Sequence, residues 1–147
     1  MINHYIYVMV LTKIGEVRKK MKEIALCACS GMNPRGQVAR AAVHDLSEEN
    51  EAYKTCCIVA TAGGKQKYVD LAKTHQIVAI NGCKQNCTTT LLKQKEATVD
   101  KVIVVPEVLE EYDLTAECTV RMNENDEKCV KIIKDKIIQS IDEIIDE

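Results

Sequence analysis

The 147-residue sequence reads as a three-layer α/β/α domain, Rossmann-like or flavodoxin-like, with a mainly parallel sheet of four to five strands. Three observations point there. Short apolar runs alternate with stretches whose apolar residues recur every three to four positions, the pattern of strands joined by crossover helices. The runs at residues 24–29, 56–61, 77–80 and 102–105 are almost unbroken by polar side chains, as strands buried on both faces require. The length suits one domain, which at this size buries roughly 68–70% of its unfolded surface and needs no covalent staples.

Taken in order, residues 1–22 stand apart as an N-terminal extension, an added edge strand or an arm, and residues 23–147 form the single α/β domain. In the extension an apolar run, residues 5–11, precedes Gly15 and the basic Arg18, Lys19, Lys20 and Lys22, with a second Met at position 21. Seven apolar residues are too few to cross a bilayer, and the basic residues follow the run instead of sharing a helix face with it. Residues 24–29 (IALCAC) predict the first strand. Residues 37–47 predict a helix with Val38, Ala42, Val43 and Leu46 on one stripe. The second strand is expected at 56–61 and the second helix at 64–74, with Tyr68, Leu71 and Ala72 inward. Residues 77–80 (IVAI) predict the third strand, stopped by the turn dipeptide Asn81-Gly82. A third helix is expected over 87–96 and a fourth strand over 102–105, ended by Pro106. Residues 109–122 carry the weakest pattern, a loop with one short strand through Leu114, Cys118 and Val120. Asn123 or Asn125 then caps a final helix whose buried face is Val130, Ile133, Ile137, Ile141 and Ile144.

Composition excludes several roles. With 46% hydrophobic and 29% charged residues the chain is neither disordered nor membrane-spanning in character. A formal charge of −2, with no Trp, no Phe and five Tyr, argues against nucleic acid, which calls for basic surface or stacking platforms. Eight cysteines are the anomaly. No secretory signal pattern is present, so the expected setting is the cytoplasm, where thiols stay reduced and clustered cysteines point to metal or redox chemistry.

In an open parallel sheet, ligands bind beyond the carboxyl ends of the strands. Cys29 ends the first strand; Cys83 follows the third, with Cys87 four residues on. The three can meet if the first and third strands are neighbours, as in the flavodoxin-like order. Cys83 and Cys87 lie one helical turn apart, and the positive end of a helix favours the thiolate, the form that binds metal or attacks. A fourth ligand could come from Cys56, Cys57 or Cys27; Cys27 and Cys29 share a strand face, whereas Cys56 and Cys57 oppose each other on a strand. Such thiolates suit zinc, and an iron–sulfur cluster takes the same donors. Cys118 and Cys129 read as packing residues, and His4, His44 and His75 as solvated.

Cys29-Ser30-Gly31 after the first strand, Cys57 in the second, Gly63-Gly64 before the second helix and Asn81-Gly82-Cys83-x3-Cys87 after the third strand resemble the DGC-domain family of proposed zinc-binding proteins. The likeness covers roughly residues 23–114. It implies an α/β fold and a thiol-rich zinc site with no established reaction, and by position its metal ligands are Cys29, Cys83 and Cys87, with Cys57 as the fourth and Cys56 as its competitor. This chain has Asn81 where the family's name has Asp.

Two other readings remain. Cys29, five intervening residues and Arg35 resemble the phosphate loop of low-molecular-weight tyrosine phosphatases and arsenate reductases. There Cys29 would attack as thiolate and Arg35 would clamp the oxyanion. Against it, Gly36 replaces the Ser or Thr expected after the Arg, Pro34 removes an N–H, and no Asp-Pro acid occurs. Alternatively the thiols cycle through disulfides, although Cys27-x-Cys29 is not a Cys-x-x-Cys motif. Gly63-Gly64 before Lys65 lacks the full phosphate-cradling pattern and reads better as a tight turn.

Overall fold

The computed structural model describes residues 23–118 and 120–147. The N-terminal extension, with its apolar run, basic stretch and His4, lies outside the described residues. Four strands, β1 (Ile24–Ala28), β2 (Tyr53–Thr55), β3 (Gln76–Asn81) and β4 (Val99–Val104), form one sheet in the order β2-β1-β3-β4. Every pairing is parallel. Six helices connect and flank them: α1 (Pro34–Glu49), α2 (Ile58–Ala62), α3 (Gln66–Thr74), α4 (Cys87–Gln94), α5 (Val105–Glu110) and α6 (Glu124–Asp146).

The period-two alternation of a strand sorts the sheet residues into two cores. Ile24 and Leu26 of β1, Val78 and Ile80 of β3 and Ile103 of β4 face α1, α5 and α6. Ala25 and Cys27, Ile77 and Ala79 face the other way, onto Cys56, Ala72 of α3 and Leu92 of α4. The expected three-layer α/β/α domain is the observed one. Its two cores differ in bulk: isoleucine and valine fill the first, while alanine and cysteine dominate the sheet side of the second and let α3 and α4 lie close.

α6 behaves as its pattern predicts, burying Val130, Ile133, Ile137, Ile141 and Ile144. Asn123 is its cap: the Asn123 side chain accepts from the Asp126 N–H, and Asp126 accepts from the Asn123 N–H at 3.1 Å. The other oxygen of the buried Asp126 accepts from the Glu117 N–H at 2.9 Å, tying the preceding loop to the helix. α1 starts earlier than expected because Asn33 caps it, accepting from the Gly36 N–H at 2.9 Å, and Pro34 fits a first turn that needs no N–H.

Three expectations need correction. Residues 56–61 are not the second strand. The β2 ladder is only Tyr53–Thr55, and the apolar run beyond it winds into α2, where the Thr61 N–H and hydroxyl both return to the Cys57 carbonyl at 2.9 and 2.7 Å. A short apolar run has the same composition whether it is buried as strand or as helix, so periodicity alone does not separate them. Cys56 and Cys57 therefore sit past the end of β2, not within a strand. The fourth strand begins at Val99, earlier than expected, and ends at Val104; Pro106 does not merely stop it but sits in the first turn of α5, a helix the pattern did not announce. Among the described residues of 109–122 there is no strand.

The core and the cap should separate in magnitude. Ile137→Ala, which empties a fully buried site in the larger core, is expected to cost about 2–5 kcal/mol. Asn123→Ala, which breaks the capping box, is expected to cost about 1 kcal/mol. Urea unfolding with an unchanged slope would read both; equal losses would contradict the packing described.

Candidate thiol cleft

The chain leaves β1 toward one face of the sheet, into α1, and leaves β3 toward the other, into α4. Because β1 and β3 are hydrogen-bonded neighbours, their diverging loops open a crevice at the carboxyl edge, the place where a doubly wound sheet offers a site. Cys29 continues the ladder one step past β1, its N–H donating to the Ile80 carbonyl at 2.8 Å. Cys83 comes two residues after β3 ends, and Cys87 is the first residue of α4. All three line one cleft of about 310 Å³, together with Ile58, Thr88 and Leu91. Cys29 and Cys83 are partly exposed and Cys87 is exposed.

What brings the two loops together is the absence of side chains. A Cβ on Gly82 would fall 2.7 Å from the Gly36 Cα, and one on Gly36 would fall 2.9 Å from the Gly31 carbonyl oxygen. The loop after β3 thus packs backbone to backbone on the first turn of α1, which packs on the loop after β1. Gly31 also donates its N–H to the Cys29 sulfur at 3.2 Å.

Asn81 organises the other side of the cleft. It is buried, and its amide donates to the Thr89 hydroxyl at 2.7 Å while its oxygen accepts from the Thr89 N–H at 3.2 Å. Thr89 is the third residue of α4, so Asn81 caps the helix from the end of β3. The residue in the N-cap position, Asn86, is left-handed at φ 56° and makes no side-chain cap bond. Between them, the Asn86 N–H donates to the Cys83 carbonyl at 3.3 Å, closing the turn that spaces Cys83 from Cys87.

The remaining candidates are placed elsewhere. Cys57 is partly exposed and lines a second pocket, of about 390 Å³, that adjoins the cleft through Ser30 and Ile58. Cys56 lines that pocket too, and also packs on Cys27 in the smaller core. Interaction with Cys56, then burial, pushes the Cys27 thiol far above the usual range; hydrogen bonds from Cys27 and Thr61 lower Cys56 against the opposing effect of burial. Cys129 is buried in the larger core, its thiol raised by burial and then by Asp126. Arg35 lines a small pocket with Pro106, Leu109 and Glu110, whereas Cys29 lines the cleft. Gly64, at φ +72°, is a turn residue between α2 and α3. His75 pairs with Glu23 at 3.1 Å, and His44 lines the second pocket. Reading the sequence missed two features: the cap from Asn81, and the contact of Cys27 with Cys56. A buried asparagine just before Gly-Cys was the available signal for the first; for the second, the true end of β2 had to be known.

As donors, three thiols from the β1 and β3 connections on one cleft suit a soft metal in kind and number. As arranged, no three His, Cys, Asp or Glu side chains converge on a common metal position among the described residues.

The architecture of the cleft is testable without a ligand. Gly82→Ala should destabilise the fold by roughly 1–3 kcal/mol, because its new methyl meets backbone that cannot move aside. Asn81→Ala, which orphans the buried Thr89 N–H, should cost about 1–3 kcal/mol. Asn81→Asp keeps the acceptor for that N–H and can take a bond from the Thr89 hydroxyl, so it should lose less than Asn81→Ala in the same thermal or urea unfolding; the reverse ranking would refute the capping role.

None of the described helices is long and apolar enough to cross a membrane. No curated protein and no solved structure matches the chain. A family model does: that of the DGC domain, over residues 25–127, from β1 to the first turn of α6 and including all of Cys29, Cys57, Cys83 and Cys87. With well over half its length matched, the chain belongs to the DGC-domain family.

Proposed function

We propose that Cys29, Cys83 and Cys87 are thiolate ligands of a zinc ion at the carboxyl edge of the sheet, with Cys57 the first candidate for a fourth. One observation carries this reading: Cys29 and the Cys83–Cys87 pair, more than fifty residues apart in sequence, line a single cleft at the β1–β3 crevice. Their number and softness match zinc better than hard cations, which prefer oxygen. Held by three thiolates, zinc would supply Lewis acidity at an open position, and a fourth thiolate would close the site into a structural one.

The chain's own contribution is positional. The glycine contacts set the separation of the Cys29 and Cys83 loops, and the Asn81 cap sets the first turn of α4, which carries Cys87. Cysteine side chains turn about one bond, so each sulfur can shift without moving the backbone that carries it. Eight unpaired cysteines suit a reducing compartment, and we place the protein in the cytoplasm.

Elemental analysis of the full-length protein, purified under reducing, anaerobic conditions, tests this directly. Close to one zinc per chain is expected in the parent, with most of it lost in Cys83→Ser and in Cys87→Ser while circular dichroism stays unchanged. Visible absorption separates the alternatives, since an iron–sulfur cluster is coloured and zinc is not. Protein that takes up no metal, or a Cys83→Ser, Cys87→Ser double variant that keeps its full complement, would overturn the proposal. Loss of zinc in Cys57→Ser but not in Cys56→Ser would identify the fourth ligand.

A further inference from the structure

The second pocket, at the carboxyl ends of β1 and β2, has no part in the metal reading beyond Cys57. At about 390 Å³ it falls within the size range of small-molecule sites. Arg40 and His44, one turn apart on α1, stand on its wall, and neither makes an ion pair among the described residues. Tyr68 and Ile58 supply apolar surface, and the almost wholly buried Cys56 is also a lining residue.

Behind Cys56 is a second thiol. β1 and β2 pair in parallel with Leu26 opposite Thr55, and the Cys56 N–H donates to the Leu26 carbonyl at 2.9 Å, so continuing that register one step past the end of β2 sets Cys56 opposite Cys27. Both are buried members of the smaller core. Adjacent strands lie about 4.8 Å apart. That is inside the roughly 4.4–6.8 Å Cα separation that a disulfide spans. Cys56 thus lines a pocket with Arg40 on its wall, and Cys27 lies beside it in the core.

We propose that Cys56 and Cys27 are a redox-active dithiol, oxidised to an intramolecular disulfide by a small, carboxylate-bearing disulfide that enters the pocket past Arg40 and His44. The Cys56 thiolate attacks one sulfur of the bound disulfide, forming a mixed disulfide and expelling the first thiolate. Cys27 then gives up its proton to that thiolate and attacks the Cys56 sulfur, and the Cys27–Cys56 bond forms as the second thiolate leaves and takes a proton from solvent. The protein loses two electrons and two protons, and the small disulfide becomes two thiols. Cys57 does not substitute for Cys27, since it is adjacent in sequence to Cys56 and outside the apolar cluster that holds the pair.

The probes are oxidised glutathione, which carries carboxylates, and cystamine, which carries only amines. The fully reduced, full-length protein is incubated with each, quenched with acid, and followed by thiol titration after unfolding and by peptide mapping. With oxidised glutathione, two thiols per chain should disappear and Cys27 and Cys56 should map as one cross-linked pair. Arg40→Gln should slow that reaction roughly two- to fivefold, the size of one exposed ion pair, and leave the cystamine rate unchanged. Cys27→Ala should stop at a stable glutathione adduct on Cys56. A lasting glutathione adduct on the parent protein, a cross-link between any other cysteines in place of this one, or unchanged Cys27 and Cys56 would each overturn the proposal. So would an equal effect of Arg40→Gln on both probes. Mapping the parent protein needs no variant to fold, and its failure would leave the metal reading intact, because Cys29, Cys83 and Cys87 are outside the pair.

Discussion

Backbone pressed on backbone at the carboxyl edge is the contact on which the rest of the site depends. Gly82 lies against Gly36 and Gly36 against Gly31, with no room for a methyl group at the first two. Through these contacts the loop that carries Cys83 is seated on the loop that carries Cys29. Packed interiors tolerate little change of volume, so any side chain at the contact would spread the two loops. A side-chain bridge between them would be adjustable; a glycine seam is not, and it holds the spacing of the cleft whether or not a ligand is present.

The two cores divide the labour. α6 brings a row of isoleucines to the larger core and is anchored at its start by Asn123 and the buried Asp126. Most of the apolar burial is therefore on the face away from the thiols. The opposite face is lined with Ala25, Cys27 and Ala79, small enough for α3 and α4 to approach, and thiols fit there because cysteine packs as a small hydrophobe. Cys27 and Cys56 can thus serve the core and still retain sulfur chemistry. Cys129, by contrast, is enclosed by the larger core and reaches neither pocket.

Departures from sequence expectation have a common physical origin. Residues 56–61 are apolar enough to be a strand, yet β2 ends at Thr55, and the chain turns into α2 once it passes the point where β1 can still offer a carbonyl partner. The same shift moves Cys56 and Cys57 from strand interior to sheet edge, which creates the second pocket. Pro106 likewise reads as a stop, whereas its fixed φ and missing N–H suit the first turn of α5 equally well. In both cases the local residues were compatible with two outcomes, and a hydrogen-bond partner distant in sequence chose between them.

Periodicity by itself determined the three layers, the parallel strands β1 and β3, the long amphipathic α6 and the placing of Cys29, Cys83 and Cys87 at strand or helix ends, because burial imposes a period of two or of three to four on whatever residues face a core. The DGC-domain membership was legible in Asn81-Gly82-Cys83-x3-Cys87 for the related reason that a helix start and its turn are local events. Tertiary structure alone decided that the three thiols share a cleft, that Asn81 caps α4, and that Cys27 packs with Cys56. Each of those depends on strand order, register or the approach of two backbones, and these are relations between segments that no single segment encodes.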